Sequence, residues 1–211
     1  MEKRYITTEE QRAFEVDGTH ILEGYALKFN TRSNPIGGHF VEEISDRALE
    51  STDMSDVLGR VNHGSDMGNV FARTGVNLTL TVDETGLFYR AVLDPDSPRD
   101  MQLYRDTKRG LISKSSFAFM VREGGDVWRR EGEVNVRTVT DIEVLGDIAP
   151  VHRPAYDDTS SIASQRTLDS LKEFEEKLAK ESKKDEEESR DIKTPLNIDD
   201  KARYLILKTE K

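Results

Sequence analysis

Val76-Asn77-Leu78-Thr79-Leu80-Thr81-Val82 alternates apolar and polar residues with a period of two, the pattern of a strand that buries one face. Asp83-Glu84-Thr85-Gly86 follows with turn chemistry, and Leu87-Phe88-Tyr89-Arg90-Ala91-Val92-Leu93 supplies a second strand, so the pair predicts an antiparallel hairpin. Further strand-like runs lie outward from it, at Tyr5 to Thr7, Ile21 to Phe29, Asp56 to His63, Ser116 to Arg122 and Val134 to Thr140. Residues 1–163 therefore read as one β-rich α+β domain. One internal helix is well marked. Ser97 suits its N-cap, Pro98 its first position and Asp100 its first turn; Met101 and Tyr104 share a face. Lys108 and Arg109 fall in the last turn, and Gly110 fits the residue just past it. A shorter helix is expected over Asp46 to Ser51.

Beyond Ala163 the character changes, so residues 164–211 are read as a charged tail. Leu168, Leu171, Phe174 and Leu178 are spaced three to four apart and predict one amphipathic helix, through which the chain could oligomerise. Lys183-Lys184-Asp185-Glu186-Glu187-Glu188 has no apolar residue and is expected to be solvated or disordered, and Tyr204-Leu205-Ile206-Leu207 is a candidate docking patch. With 34% charged and only 35% hydrophobic residues in 211, part of the chain must lie outside any core. A net charge of −10 argues against nucleic acid as a partner. No apolar run approaches a membrane span and Met1-Glu2-Lys3-Arg4 opens no signal peptide, so a cytosolic protein is expected, or one acting inside something assembled there.

The absence of cysteine excludes disulfides, thiolate metal sites and a thiol nucleophile. His20, His39, His63 and His152 show no metal-ligand spacing, and no phosphate-binding glycine loop is present, so neither metal nor cofactor is expected. What remains is hydroxyl and imidazole chemistry. Val61-Asn62-His63-Gly64 puts a histidine at the end of a strand-like run, and Gly110 leads from a helix into Leu111-Ile112-Ser113-Lys114-Ser115-Ser116-Phe117-Ala118-Phe119. A nearby imidazole can take the proton of an attacking serine, and Ser113, Ser115 and Ser116 are all candidates. Strand alternation puts Ser115 and Ser116 on opposite faces, so only one of that pair can share a face with His63.

The ordered motifs from Ile21 to Tyr156 resemble the tailed-phage prohead protease family. Gly24-Tyr25-Ala26 with Phe29-Asn30 is similar to its opening strand, and Gly37-Gly38-His39-Phe40-Val41-Glu42 to the element that follows. Asn62-His63 matches its histidine motif and Gly86-Leu87 its hairpin strand. Ser116-Phe117-Ala118-Phe119 resembles its serine segment, and Gly146-Asp147-Ile148-Ala149-Pro150-Val151 with Pro154-Ala155-Tyr156 its end. Each match alone is weak; their shared order is what carries the resemblance. Gly64, Ala118 and Ala149 depart from the family pattern, which has an acidic residue, glycine and serine there.

The resemblance implies an antiparallel barrel or strongly curved sheet with a few helices, like the herpesvirus assembly proteases. It implies Ser116 as nucleophile, His63 as general base and Asp147 as the group orienting the imidazole, with Glu143, Asp141 or His152 as alternatives for that third role. The implied activity is a serine endopeptidase that removes the scaffold portion of the phage major capsid protein, and cleaves itself, inside the procapsid in the host cytoplasm. A catalytically dispensable assembly factor with the same fold is the competing expectation.

Overall fold

The computed structural model describes residues 1–6, 11–152 and 164–192, and the side chains of all of these except 5–6 and 185–192. In chain order the elements are β1 (Glu2–Ile6), β2 (Arg12–Val16), β3 (Thr19–Lys28), β4 (Phe40–Ile44), β5 (Leu58–Arg60), β6 (Val70–Arg73), β7 (Leu78–Val82), β8 (Gly86–Leu93), α1 (Pro98–Lys108), β9 (Ile112–Val121), β10 (Asp126–Glu131), β11 (Val134–Val139), β12 (Ile142–His152) and α2 (Gln165–Ile192). They form a β-rich α+β fold of three sheets, ordered β1-β9-β12-β5-β6, β10-β11-β4 and β2-β3-β8-β7.

The predicted hairpin is β7–β8, with Val82 opposite Leu87. Its turn is closed by the Asp83 carboxylate, which accepts from the backbone N–H of Thr85 at 2.8 Å and of Gly86 at 3.0 Å. The α1 helix also forms as its caps dictate. The Ser97 hydroxyl accepts from the Asp100 N–H at 3.3 Å, and Gly110 turns the chain out at φ +76. Leu111 N–H reaches the Asp106 carbonyl and Gly110 N–H that of Thr107, both at 2.9 Å, the paired bonds of a Schellman end. The chain thus leaves α1 in a fixed direction and enters β9.

Two expectations are corrected. The sheets do not close into an antiparallel barrel: β12 pairs with β5 in parallel, as does β11 with β4. The segment before β5 sets that direction, because Asp53 donates its N–H to the Glu143 carbonyl and accepts from Leu145 N–H, at 2.9 and 3.1 Å. Nor is there a helix over Asp46 to Ser51, which is a run of turns. Its bonds reach only three residues back, and the Ala48 carbonyl that could have continued a helix accepts the Ile142 N–H at 2.8 Å.

The core gathers Leu22, Leu27, Leu87, Phe117, Phe119, Ile142, Leu145 and Ile148, all essentially solvent-free. Phe117 and Phe119 stack with ring centroids 5.0 Å apart, so one face of β9 is pinned to the core. Burying each ring is worth roughly 1.5–3 kcal/mol, and a one-residue slip would forfeit both. Ser116 and Ala118 are thereby forced onto the opposite face.

The chain divides into two units, Met1–Gln165 and Arg166–Lys211. In the second, α2 continues through Lys183–Glu188, so the described backbone there is helical; lysine and glutamate are good helix formers. No described helix is long and apolar enough to cross a membrane. Thr7, Pro154-Ala155-Tyr156 and Tyr204-Leu205-Ile206-Leu207 lie outside the described residues.

Candidate active site

The β5 strand ends in a single 3-10 turn, Val61–His63, that carries the histidine. Asn62 and His63 both adopt the left-handed conformation, each at φ 53. That conformation is unfavourable by roughly 1–2 kcal/mol per residue for side chains other than glycine, so something must hold it. The Asn62 side chain does part of this: its Oδ1 accepts from the His152 N–H at 3.1 Å and its amide nitrogen lies 2.6 Å from His152 Nδ1. Gly64 closes the turn through its N–H to the Val61 carbonyl at 3.0 Å. A Cβ there would stand 2.3 Å from Cγ of Asn69, so the space of the family's acidic side chain is filled by Asn69.

Ser116 enters from β9. Its Oγ contacts His63 Nε2 and donates to the Arg4 carbonyl of β1 at 2.7 Å. Ser115, on the core face, instead sends its hydroxyl to Gln11 Oε1 at 3.3 Å. Both serines are fully buried, but only Ser116 meets an imidazole. Ser113 is exposed at the start of the strand.

Asp147 arrives through a bulge. Along β12 the register places Leu145 opposite Phe119 and Asp147 opposite Ala118, so Gly146 is an extra residue. In a regular strand Leu145 and Asp147 would share a face. The bulge reverses the parity, leaving Leu145 in the core and turning Asp147 toward the histidine. Asp147 Oδ1 lies 2.5 Å from His63 Nδ1, and the imidazole side chain is only 1% exposed.

The imidazole is therefore bonded on both nitrogens, one to a hydroxyl and one to a carboxylate. The other residues weighed for the third role lie elsewhere. Asp141 accepts from Arg122 Nε at 3.0 Å and Ser51 Oγ at 2.9 Å, Glu143 is exposed, and His152 is engaged with Asn62. Sequence reasoning passed over Arg60 and gave Asn62 no role beyond its place in the Asn62-His63 motif, although asparagine beside a strand end is a recognisable left-handed residue. A cavity of about 250 Å³ opens beside the turn, with Val61, Leu103 and Ile112 apolar in its lining and Arg99, Asp106 and His152 polar.

A family model described as caudovirus prohead serine protease matches residues 7–174. The chain belongs to that family. It is accordingly a serine protease of the capsid-maturation type found in tailed phages. Among solved structures, the prohead protease is similar to the capsid assembly protease gp21 of bacteriophage T4, at 14% identity and a TM-score of 0.46, over 72% of this chain and 96% of that one. No curated protein gives a significant match. Two departures from the family pattern have their places in the prohead protease's sheet: Ala118 pairs with Asp147, and Ala149 lies directly opposite Ser116.

Proposed function

We propose that the chain is a serine endopeptidase in which Ser116 is the nucleophile, His63 the general base and Asp147 the group that orients it. The observation that carries this reading is the imidazole bonded to both Ser116 and Asp147 in a chain of the prohead protease family. With the carboxylate at Nδ1, the neutral ring carries its proton there and turns the Nε2 lone pair to Ser116. As Ser116 Oγ attacks the scissile carbonyl, Nε2 takes its proton and Asp147 stabilises the imidazolium. The ring then gives that proton to the leaving amine, an acyl-enzyme remains, and water activated by His63 hydrolyses it.

The substrate in this reading is the scaffold portion of the phage major capsid protein, with the protease itself as a second one, inside the procapsid in the host cytoplasm. Full burial of Ser116 supports an enzyme kept silent until assembly opens the site. The tail beyond residue 164 is the part we assign to holding the protease on scaffold regions, because α2 carries its apolar stripe among charges of both signs. Co-expression with the capsid protein tests the proposal. Shortening of the capsid protein by the wild type but not by Ser116→Ala supports it, and equal processing by both removes Ser116 from the mechanism. Normal procapsid incorporation after deletion of 165–211 would end the tethering role.

A further inference from the structure

We propose that Arg60 is a positioning residue of this catalytic centre: its guanidinium spans the left-handed turn of His63 and faces the outer oxygen of Asp147, holding base and carboxylate in one register. The inference rests on the triad reading above and deepens it.

Register puts Arg60 in place. Asp147 lies opposite Leu58 in the parallel β12–β5 pair, and residues two apart on a strand share a face, so Arg60 emerges on the side of Asp147. Its Nη1 donates to the Gly64 carbonyl at 2.6 Å, linking the residue before the turn to the residue after it. Its Nε stands 3.9 Å from Asp147 Oδ2, while His63 uses Oδ1. At that separation the contact is an ion pair rather than a hydrogen bond. The side chain is 23% exposed, which leaves the charge only partly screened.

Two effects follow from one group. The bond to Gly64 supports Asn62 and His63 in a conformation they would otherwise leave. The charge attracts the Asp147 carboxylate and repels a positive charge on the imidazole, an electrostatic effect that only a cation at this place supplies. Among the described residues, Asp147, Arg60 and, through Asn62, His152 are charged or titratable groups near the ring. Asn62 bonds the turn to the end of β12, while Arg60, bonded to Gly64, faces the middle of that strand through its ion pair with Asp147. Lysine carries the charge but not the planar fork that lets one side chain serve both contacts.

The test uses the full chain as wild type, Arg60→Met, Arg60→Lys and, as control, Arg73→Met. Arg73 lies on neighbouring β6 and binds Asp56. The rate at which diisopropyl fluorophosphate labels Ser116 is followed from acid to alkaline pH in procapsids assembled with the capsid protein, where the site is open on the reading above, and the His63 ring is followed across pH by NMR in the free chain. Arg60→Met is expected to label at least about tenfold more slowly, as misplacement of a catalytic group by a fraction of an ångström does. Its acid limb, and the His63 ring signal followed across pH, should move to higher pH once the cation is gone. Arg60→Lys should restore the limb without restoring the full rate, and Arg73→Met should match wild type. A wild-type limb in Arg60→Met overturns the proposal whatever its rate, since lost packing alone slows labelling without moving the limb. If wild-type Ser116 is not labelled, the triad reading fails separately, and an unmoved His63 titration in Arg60→Met then overturns the role of Arg60.

Discussion

Two buried polar clusters meet at Arg4 and are built on opposite terms. Through its backbone carbonyl Arg4 touches the Ser116–His63–Asp147 chain. Through its guanidinium it joins an ion network, with Nε 2.5 Å from Glu42 and another nitrogen on Glu2. Arg137 completes that network at 2.8 Å from Glu42, 2.8 Å from Glu2 and 2.7 Å from Asp126. Burial works against the charge on Arg137, but the carboxylates of Glu42 and Glu2 more than offset it and push its pKa upward. In that network planar guanidinium forks meet carboxylates, each nitrogen held between fixed charged partners. In the other cluster the single Ser116 proton has two acceptors, the Arg4 carbonyl and His63 Nε2. One cluster is arranged to stay as it is, the other to let a proton move.

Substitutions can break that contrast, beginning with the largest effect. Ser116→Ala should remove processing by on the order of 10⁶-fold with an unchanged melting temperature, read as capsid-protein shortening and thermal unfolding of one preparation. Loss of fold instead of activity would make Ser116 a structural residue. Asp147→Asn, which keeps the shape but loses the charge, should cost about 10⁴-fold in rate through the wrong histidine tautomer. Arg137→Met should do the reverse. It strands Glu42 and Glu2 in the interior and should lower unfolding free energy by about 3–5 kcal/mol in urea, with activity per folded molecule retained. A lower rate per folded molecule would mean that the clusters are coupled through Arg4.

The smallest effect sharpens the contrast from outside both clusters. Asp83→Ala opens the β7–β8 turn and should cost about 1 kcal/mol without touching activity. The Tyr25 hydroxyl holds the Asp83 carboxyl below its usual range against the opposing effect of burial, and the N–H groups of Gly86 and Thr85 add to the lowering. Its contribution is therefore present above the unfolded-state pKa and is lost as pH falls through the lowered folded value. Urea midpoints of wild type and variant should converge in acid.

How much of this was legible depends on how local each signal is. The β7–β8 hairpin and α1 could be read because periodicity, turn residues and caps all sit within a few positions. The face of Ser116 could be read too, since Phe117 and Phe119 decide it from next door. Strand β12 was passed over although it lies between β9 and β5. Its apolar run is interrupted by Gly146 and Asp147, and the bulge that makes sense of both depends on a register with β9 that no local pattern encodes. Asp147 was therefore reached through family resemblance rather than periodicity. The turns of Asp46 to Ser51 and the parallel pairing of β5 were missed for the same reason, because a distant strand claims their backbone bonds.

The place of β12 in its sheet also bears on synthesis. The strand is the last described one of the β-rich unit to leave the ribosome, yet it fills the middle of the sheet and brings the carboxylate that meets His63. A nascent chain that ends before Asp147 holds histidine and serine on strands with nothing yet between them. On the assignment made above, no unfinished copy of the enzyme holds all three groups, and the triad is completed in one step when β12 inserts, before assembly opens the site.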